Sequence, residues 1–385
     1  MRTFGVSWLS EPGIRAFFYQ LIALAALALF GAYLFATVST KLAQQNIQTG
    51  FGFLSHEAGF VISQSFIDYK PTDTYADAIA AGIVNTLVVS GVGISLASLL
   101  GMIVGIARLS TNVLLASLAR VYVEVIRCVP LLLYLFFIYG LILASLPAAN
   151  NAWEIAPHVF LSNRGIAIPK LHWTFGDSWI AFSIATGILF VVAIGYILRK
   201  RRTGGDAYRC LTPVLLALLA TIAIAILILH PAAAIDLPMR SRFRITGGVQ
   251  LTPEFTALVF GLALSTSAGI AEIIRSGMLA VGKGQSEAAQ SLGLRRSQTL
   301  RLVIIPQAIR VIVPPLTSSY LTLFKNSSLA IAIGYPDFVM VSNMALTQNG
   351  QAVEIVVIMV LVYLGVSTAI SLLMNWYNRK VVLSR

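Results

Sequence analysis

The residues of this chain best suited to chemistry are few, and most of them fall in one polar stretch. Gly277, four further residues, Gly282 and Lys283 match most of the pattern by which a glycine-rich loop cradles phosphates. Gly284, however, stands where Ser or Thr must coordinate magnesium, and no apolar strand precedes the run as that geometry requires. ATP binding is therefore not expected of this chain. Cys128 and Cys210 lie in or beside basic segments with no CxxC spacing and no His cluster nearby, so they read as free structural thiols. His56, His158, His172 and His230 fall on connecting loops or at the ends of apolar segments, without the spacing of a metal or triad site. No catalytic residue, no metal site and no resident cofactor is expected.

Polar groups inside apolar stretches are a second class of candidate. A charge buried in hydrocarbon costs at least ~2.5 to 3.5 kcal/mol, which singles out Glu272, Lys325 and Glu354. Each has a plainer reading, in which the side chain snorkels to the interface. Ser265, Thr266 and Ser267, with Asn326, Ser327 and Ser328, offer hydroxyls and amides that suit a zwitterionic solute along a path. Ordinary interhelical hydrogen bonding is the alternative.

The elements that position these residues follow from composition. The chain has 385 residues, 57% apolar and 11% charged, against about 25% charged in a soluble domain. Eight apolar segments are long enough to cross a bilayer: Phe17 to Thr37, Gly82 to Ala107, Val129 to Leu146, Trp179 to Leu198, Leu211 to Leu229, Phe255 to Ile274, Ile309 to Gly334 and Val353 to Trp376. In lipid each must be helical, because every backbone polar group needs a partner within its own segment. The fold class is an all-α membrane protein of about eight transmembrane helices. The first segment lacks a small-residue cleavage site after a short apolar core and reads as a retained anchor. Gly101 and Gly105 form a GxxxG pair that admits a close helix neighbour, either within the chain or in a dimer.

The net charge of +12 is topological. Most Lys and Arg lie before the first segment, between the second and third, between the fourth and fifth, between the sixth and seventh, and after the last. By the positive-inside rule both termini and the stretch from 275 to 310 are cytoplasmic. Arg240, Arg242 and Arg244 break the rule, since this arrangement places them outside. No solvated basic face or aromatic-interleaved patch points to nucleic acid. The outer stretches 38–81 and 147–178 are either small ordered caps or solvated linkers.

Between the sixth and seventh segments, Ser286 or Gln285 can open a short helix through Glu287, Ala288 and Ala289, with Gly293 stopping it in the left-handed conformation. A second short helix can start near Ser297 and end before Pro306. Small residues beside an exposed carboxylate suit a partner's groove. The same segment also reads as an amphipathic helix resting on anionic lipid with its arginines outward.

These residues carry a resemblance. Glu287-Ala288-Ala289, three residues, Gly293, nine residues and Val303-Ile304-Ile305-Pro306 resemble the EAA loop of ABC importer permeases, with Val303 and Ile305 in place of the pattern's Ile and Leu. Asn85-Thr86-Leu87, Arg127-Cys128-Val129-Pro130-Leu131, Ala271 to Gly277 and Phe324 to Leu329 are similar to the polar amino acid permeases, over roughly residues 82–376.

Relative to a five-helix type I importer core, the chain has an extra N-terminal helix and an inserted helix pair at about 179–229, which resembles the larger permease of general L-amino acid transport systems. The resemblance implies an anchor and external loop at 1–81, a permease domain at 82–376 with its coupling loop at about 275–308, and a cytoplasmic tail at 377–385. It further implies an inner-membrane subunit that forms half of an amino acid import path. Glu287, Ala288, Ala289, Gly293 and Pro306 would engage a cytoplasmic ATP-binding dimer. ATP and Mg would sit on that dimer, a second homologous permease would complete the path, and a periplasmic binding protein would deliver the amino acid. The competing expectation is an ion-coupled secondary transporter of small polar solutes, which needs midplane carboxylates.

Overall fold

The computed structural model describes residues 12–44, 50–174, 232–241 and 245–383. The expected helix pair at 179–229, Cys210, His230, Arg242 and Arg244 lie outside the described residues. The chain divides into two compact units, one made of residues up to 136 with 258–385 and the other of 137–257.

The helical unit begins with α1 (Pro12–Gln44), whose apolar window from Arg15 to Tyr33 buries nothing against the rest of the chain. The next helix, α2 (Tyr75–Ala107), opens on a reciprocal cap: Asp77 N–H donates to Thr74 Oγ1 at 3.3 Å, and Thr74 N–H donates to Asp77 Oδ2 at 3.1 Å. Then follow α3 (Val113–Cys128) and α4 (Leu131–Ser145), α5 (Pro253–Leu279), α6 (Lys283–Ser291), the single turn α7 (Arg296–Thr299), α8 (Ile305–Asn326), α9 (Phe338–Asn349) and α10 (Ala352–Leu383).

Five helices are long and apolar enough to cross a membrane, or six if the bent pair α3–α4 is one crossing, among the described residues. Those six correspond to the six expected segments that fall there. Three boundaries differ from expectation. Helix α6 opens at Lys283 behind Gly282 and not at Gln285 or Ser286, so no side chain caps it. The stretch before Val129 is not a loop but α3, and the chain turns by 102° into α4 at Pro130, because proline resists helical geometry in the residue before it. Nor does the second elbow helix end before Pro306. A π-helical turn at Leu300–Ile304 carries α7 directly into α8, with Pro306 in its first turn. Pro306 forgoes its own backbone donor there, and the widened turn before it makes room for the ring.

Small residues set the packing of α2. A Cβ on Gly101 would lie 2.7 Å from the Ile270 Cβ and 2.9 Å from the Ser267 carbonyl oxygen, and one on Gly105 would lie 3.0 Å from the Ala271 carbonyl oxygen. The GxxxG pair is thus occupied by α5 of the same chain. Residues 50–74 form an ordered cap on this unit: Phe53 and Phe60 are buried with Tyr75, Ala78, Val341, Ala345 and Ile355, and the Phe53 ring meets Tyr75 edge-on at 5.7 Å.

The second unit carries β structure that the sequence did not announce. Strands β1 (Trp153–Ala156), β2 (Val159–Ser162), β3 (Gly165–Ile168) and β8 (Val249–Leu251) form an antiparallel sheet in the order β1-β2-β3-β8. Beside it, β4 (Lys170–Thr174) pairs with β5 (Ala232–Asp236), and β6 (Met239–Arg240) pairs with β7 (Ile245–Thr246). Its core is small, with Ala152, Phe160, Ala167 and Ile245 at the centre. Arg240, the exception to the charge rule, sits on β6 and donates from Nη1 to the Ala152 carbonyl at 3.4 Å.

Candidate coupling elbow and translocation face

The elbow is built by backbone chemistry. Helix α6 ends in a Schellman arrangement in which Leu294 N–H reaches the Ala289 carbonyl at 3.1 Å and Gly293 N–H reaches the Gln290 carbonyl at 2.8 Å. Closing both bonds requires φ of +77° at Gly293, a conformation that glycine adopts without steric cost. Beyond the corner, Gln298 Oε1 accepts from Arg295 N–H at 2.9 Å and fixes the start of α7. Gln307 on α8 donates to Gln285 on α6 at 3.0 Å, fastening the elbow to the span that follows it.

This geometry sorts the expected coupling residues. Ala289 is buried, at 3% exposure, and anchors α6 against the chain. Glu287 and Ala288 are open to solvent, as is Gly293. Leu292, just before the corner, is 81% exposed, so a large apolar side chain stands beside the open carboxylate. Pro306 is likewise exposed, at the base of α8. The near-match to a phosphate loop is also resolved. Gly277 lies inside α5, where a Cβ would collide with Ile312 of α8, so no loop there can wrap a nucleotide.

The expected path residues are less open than their types imply. Ser267 is fully buried; its hydroxyl pairs with Tyr122 Oη at 2.8 Å and lies 2.7 Å from the Leu264 carbonyl. Glu272 is held by two guanidinium groups, Arg108 from the end of α2 and Arg275 at 2.6 Å from its own helix. Ser265 and Thr266 are half-buried. On α8, Asn326 is half-buried, while Ser327 is fully buried and donates to the Phe324 carbonyl at 2.7 Å. Ser328, half-buried, donates to the Lys325 carbonyl at 2.7 Å. Near them, Leu323 of α8 and Leu262 of α5 both pack against Gly93 of α2, at 3.5 Å and 3.8 Å from where its Cβ would stand.

A polar clasp elsewhere in the unit holds none of the expected path or coupling residues, and of the charges singled out in the sequence it includes Glu354. Asn85 donates to the Gln64 and Pro336 carbonyls, each at 2.8 Å, and accepts from Phe66 N–H at 3.2 Å. Its neighbour Thr86 accepts from Phe338 N–H at 2.9 Å, at the start of α9. Asp337 caps that helix, accepting from Met340 N–H at 2.8 Å, and burial pushes its carboxyl up to about 7. Glu354 accepts from Gly50 N–H at 2.8 Å and is only 9% exposed, so it fastens the cap rather than snorkelling. The sequence signal for the clasp is the pair Asn85-Thr86 inside an otherwise apolar span.

Apolar helices long enough to cross a membrane, packed through small residues, with an exposed two-helix elbow between α5 and α8, describe a multispanning membrane protein. The chain belongs to the family described as binding-protein-dependent transport system inner membrane components, whose profile matches residues 191–383. It is 42% identical to the general L-amino acid transport system permease protein AapQ of Rhizobium johnstonii, over 97% of this chain and 94% of that one. It is 43% identical to the putative amino-acid ABC transporter permease protein YhdX of Escherichia coli strain K12, over 97% and 96%. It is also 36% identical to the glutamate/glutamine/aspartate/asparagine transport system permease protein BztB of Rhodobacter capsulatus, over 86% and 85%.

Proposed function

We propose that this chain is a permease subunit of an ATP-driven, binding-protein-dependent importer of amino acids across the inner membrane. The observation that carries this reading is the elbow: a helix anchored through Ala289 that leaves Glu287, Ala288 and Leu292 open beside a glycine corner. Such a face costs the free subunit exposed apolar surface, which fits a groove on a partner. In this reading Glu287, Ala288, Ala289, Gly293 and Pro306 transmit closure of a cytoplasmic ATP-binding dimer to α5 and α8, the two spans that the elbow joins. ATP and Mg belong to that dimer.

A second homologous permease completes the path, and a periplasmic binding protein delivers the amino acid. Relatives named for amino acid transport support the substrate class. Ser265, Thr266, Asn326 and Ser328, all partly open, are the proposed contacts for the solute. Ser267 and Ser327 support them from behind, through bonds to Tyr122 and to the backbone. Glu272 lies at the end of α5 and acts through its arginine pairs, tying α2 to α5. In this reading the permease domain covers 82–376, 1–81 is the anchor with its outer cap, and both termini are cytoplasmic.

The test is co-purification followed by uptake in vesicles. Glu287→Lys places like charge against the basic partner surface that a carboxylate implies. It is expected to abolish ATP-dependent uptake and recovery of the ATPase while leaving the amount of subunit in the membrane unchanged. Full uptake by Glu287→Lys, or uptake by the purified chain alone under an ion gradient, contradicts the reading.

A further inference from the structure

Beside the elbow lies a cavity of about 480 Å³, lined by Gly282, Gly284 and Gln285 of the α6 entry and by Gln307, Arg310 and Val311 of α8. Arg310 has no partner in it. Its Nε is shut off from solvent without a hydrogen-bond acceptor, and the residue joins no ion pair among the described residues. A guanidinium nitrogen removed from water and left unbonded is costly, and native structures rarely leave one so. The group that would satisfy it is an anion that accepts from several donors at once, and phosphate is the anion best matched to the guanidinium fork.

The surroundings supply the rest of such a ligand's requirements. Gln307 already donates to Gln285 across the cavity; Gln307 keeps one further N–H and Gln285 keeps both of its own, since an amide nitrogen carries two. Glycine at 282 and 284 leaves the backbone uncovered at this wall, with no side chain to hold the ligand off.

The cavity also lies beside the end of the apolar helix α5 at Leu279 and the first two turns of α8, which starts at Ile305, and one end of a spanning helix sits at headgroup depth. The cavity wall includes apolar Ala280, Val281 and Val311, the last 48% exposed, and the residue before Ala280 in the chain, Leu279, is 61% exposed. A free phosphate needs the polar floor alone. A phospholipid needs both the floor and the apolar wall.

We propose that this cavity binds the phosphate of an acidic phospholipid headgroup, with Arg310 as the principal donor and the acyl chains passing over Val311 and Leu279. The inference rests on the spans and the cavity, not on the coupling role of Glu287, so either can fail without the other. A bound lipid here would stiffen the joint between the elbow and α8, through the same Gln285–Gln307 bond.

The test uses the full-length chain, extracted in mild detergent with phosphatidylglycerol or phosphatidylcholine and read by native mass spectrometry. Wild type is expected to retain phosphatidylglycerol in preference to phosphatidylcholine. Arg310→Gln, which removes the charge, and Gln285→Glu, which sets a carboxylate at the rim, should each lower that occupancy about tenfold. Gln290→Glu, exposed elsewhere on α6, should not change it. Gln285 is itself exposed, so Gln285→Glu decides the matter even if Arg310→Gln misfolds. Equal retention of phosphatidylglycerol by wild type and Gln285→Glu overturns the proposal. So does displacement of the lipid by inorganic phosphate, which would make the ligand a soluble ion.

Discussion

Asn85 and Glu287 are both polar residues in a largely apolar chain, and the molecule treats them in opposite ways. Asn85 is fully buried and uses its amide in three bonds to backbone groups from two separate stretches of sequence, 64–66 and Pro336. Glu287 is exposed, on a helix whose stop and anchor are made entirely by other residues. The difference teaches where stability is stored and where a partner is met: the Asn85 amide is satisfied internally, while the elbow leaves its polar groups open and is held in shape by its backbone.

The comparison is broken most severely at Asn85. Asn85→Ala removes three hydrogen bonds, two of them buried, which should cost about 3 kcal/mol. Thermal melting of the purified subunit would show it, with residues 50–74 becoming open to protease. Asp337 gives the clasp a pH dependence. Burial raises its carboxyl from 3.8 to about 7, so the fold favours the neutral acid; this contribution is complete below about pH 3.8 and is lost as pH rises through 7. Asp337→Asn keeps an oxygen to cap α9 and cannot ionise, so the difference in melting temperature between variant and wild type should grow from pH 5 to pH 8.

Smaller effects sharpen the contrast. Gly101→Ala drives a methyl against Ile270 and the Ser267 carbonyl, an overpacking expected to cost about 1 to 3 kcal/mol in melting. Gly293→Ala meets no neighbouring atom, so its penalty is the left-handed backbone alone, about 1 kcal/mol. That local penalty should leave global melting nearly unchanged and still reduce ATP-dependent uptake, because it disturbs the corner that sets the angle of α6. Smallest of all in stability is Glu287→Ala, expected within about 0.5 kcal/mol of wild type, with uptake reduced far more than melting.

Much of this was legible before any coordinates. The spacing from Glu287 to Gly293 named both the short helix and its left-handed stop, since a glycine after a helical run has few other uses. The spans were legible from length and apolar content. Pro306 was misread because proline usually ends a helix, and nothing in Leu300 to Ile304 advertised a π-helical turn able to carry the chain past it. The sheet was hidden for a different reason: its strands are three or four residues long, and β8 pairs with β3 from about 80 positions away. The candidate path was legible only as a list of polar types. Tyr122, which bonds the Ser267 hydroxyl, comes from α3, in the charged stretch between the second and third apolar segments.

The claim on which the account depends is that the elbow is an open handle on the cytoplasmic side. In a chain with Cys128 and Cys210 changed to Ser, a cysteine replacing Glu287 can be challenged with a membrane-impermeant thiol reagent in inverted and in right-side-out vesicles. The account predicts labelling in inverted vesicles only, with protection when the ATPase subunits are co-expressed. Labelling from the outer face, or labelling from the inner face that the ATPase leaves undiminished, would contradict it.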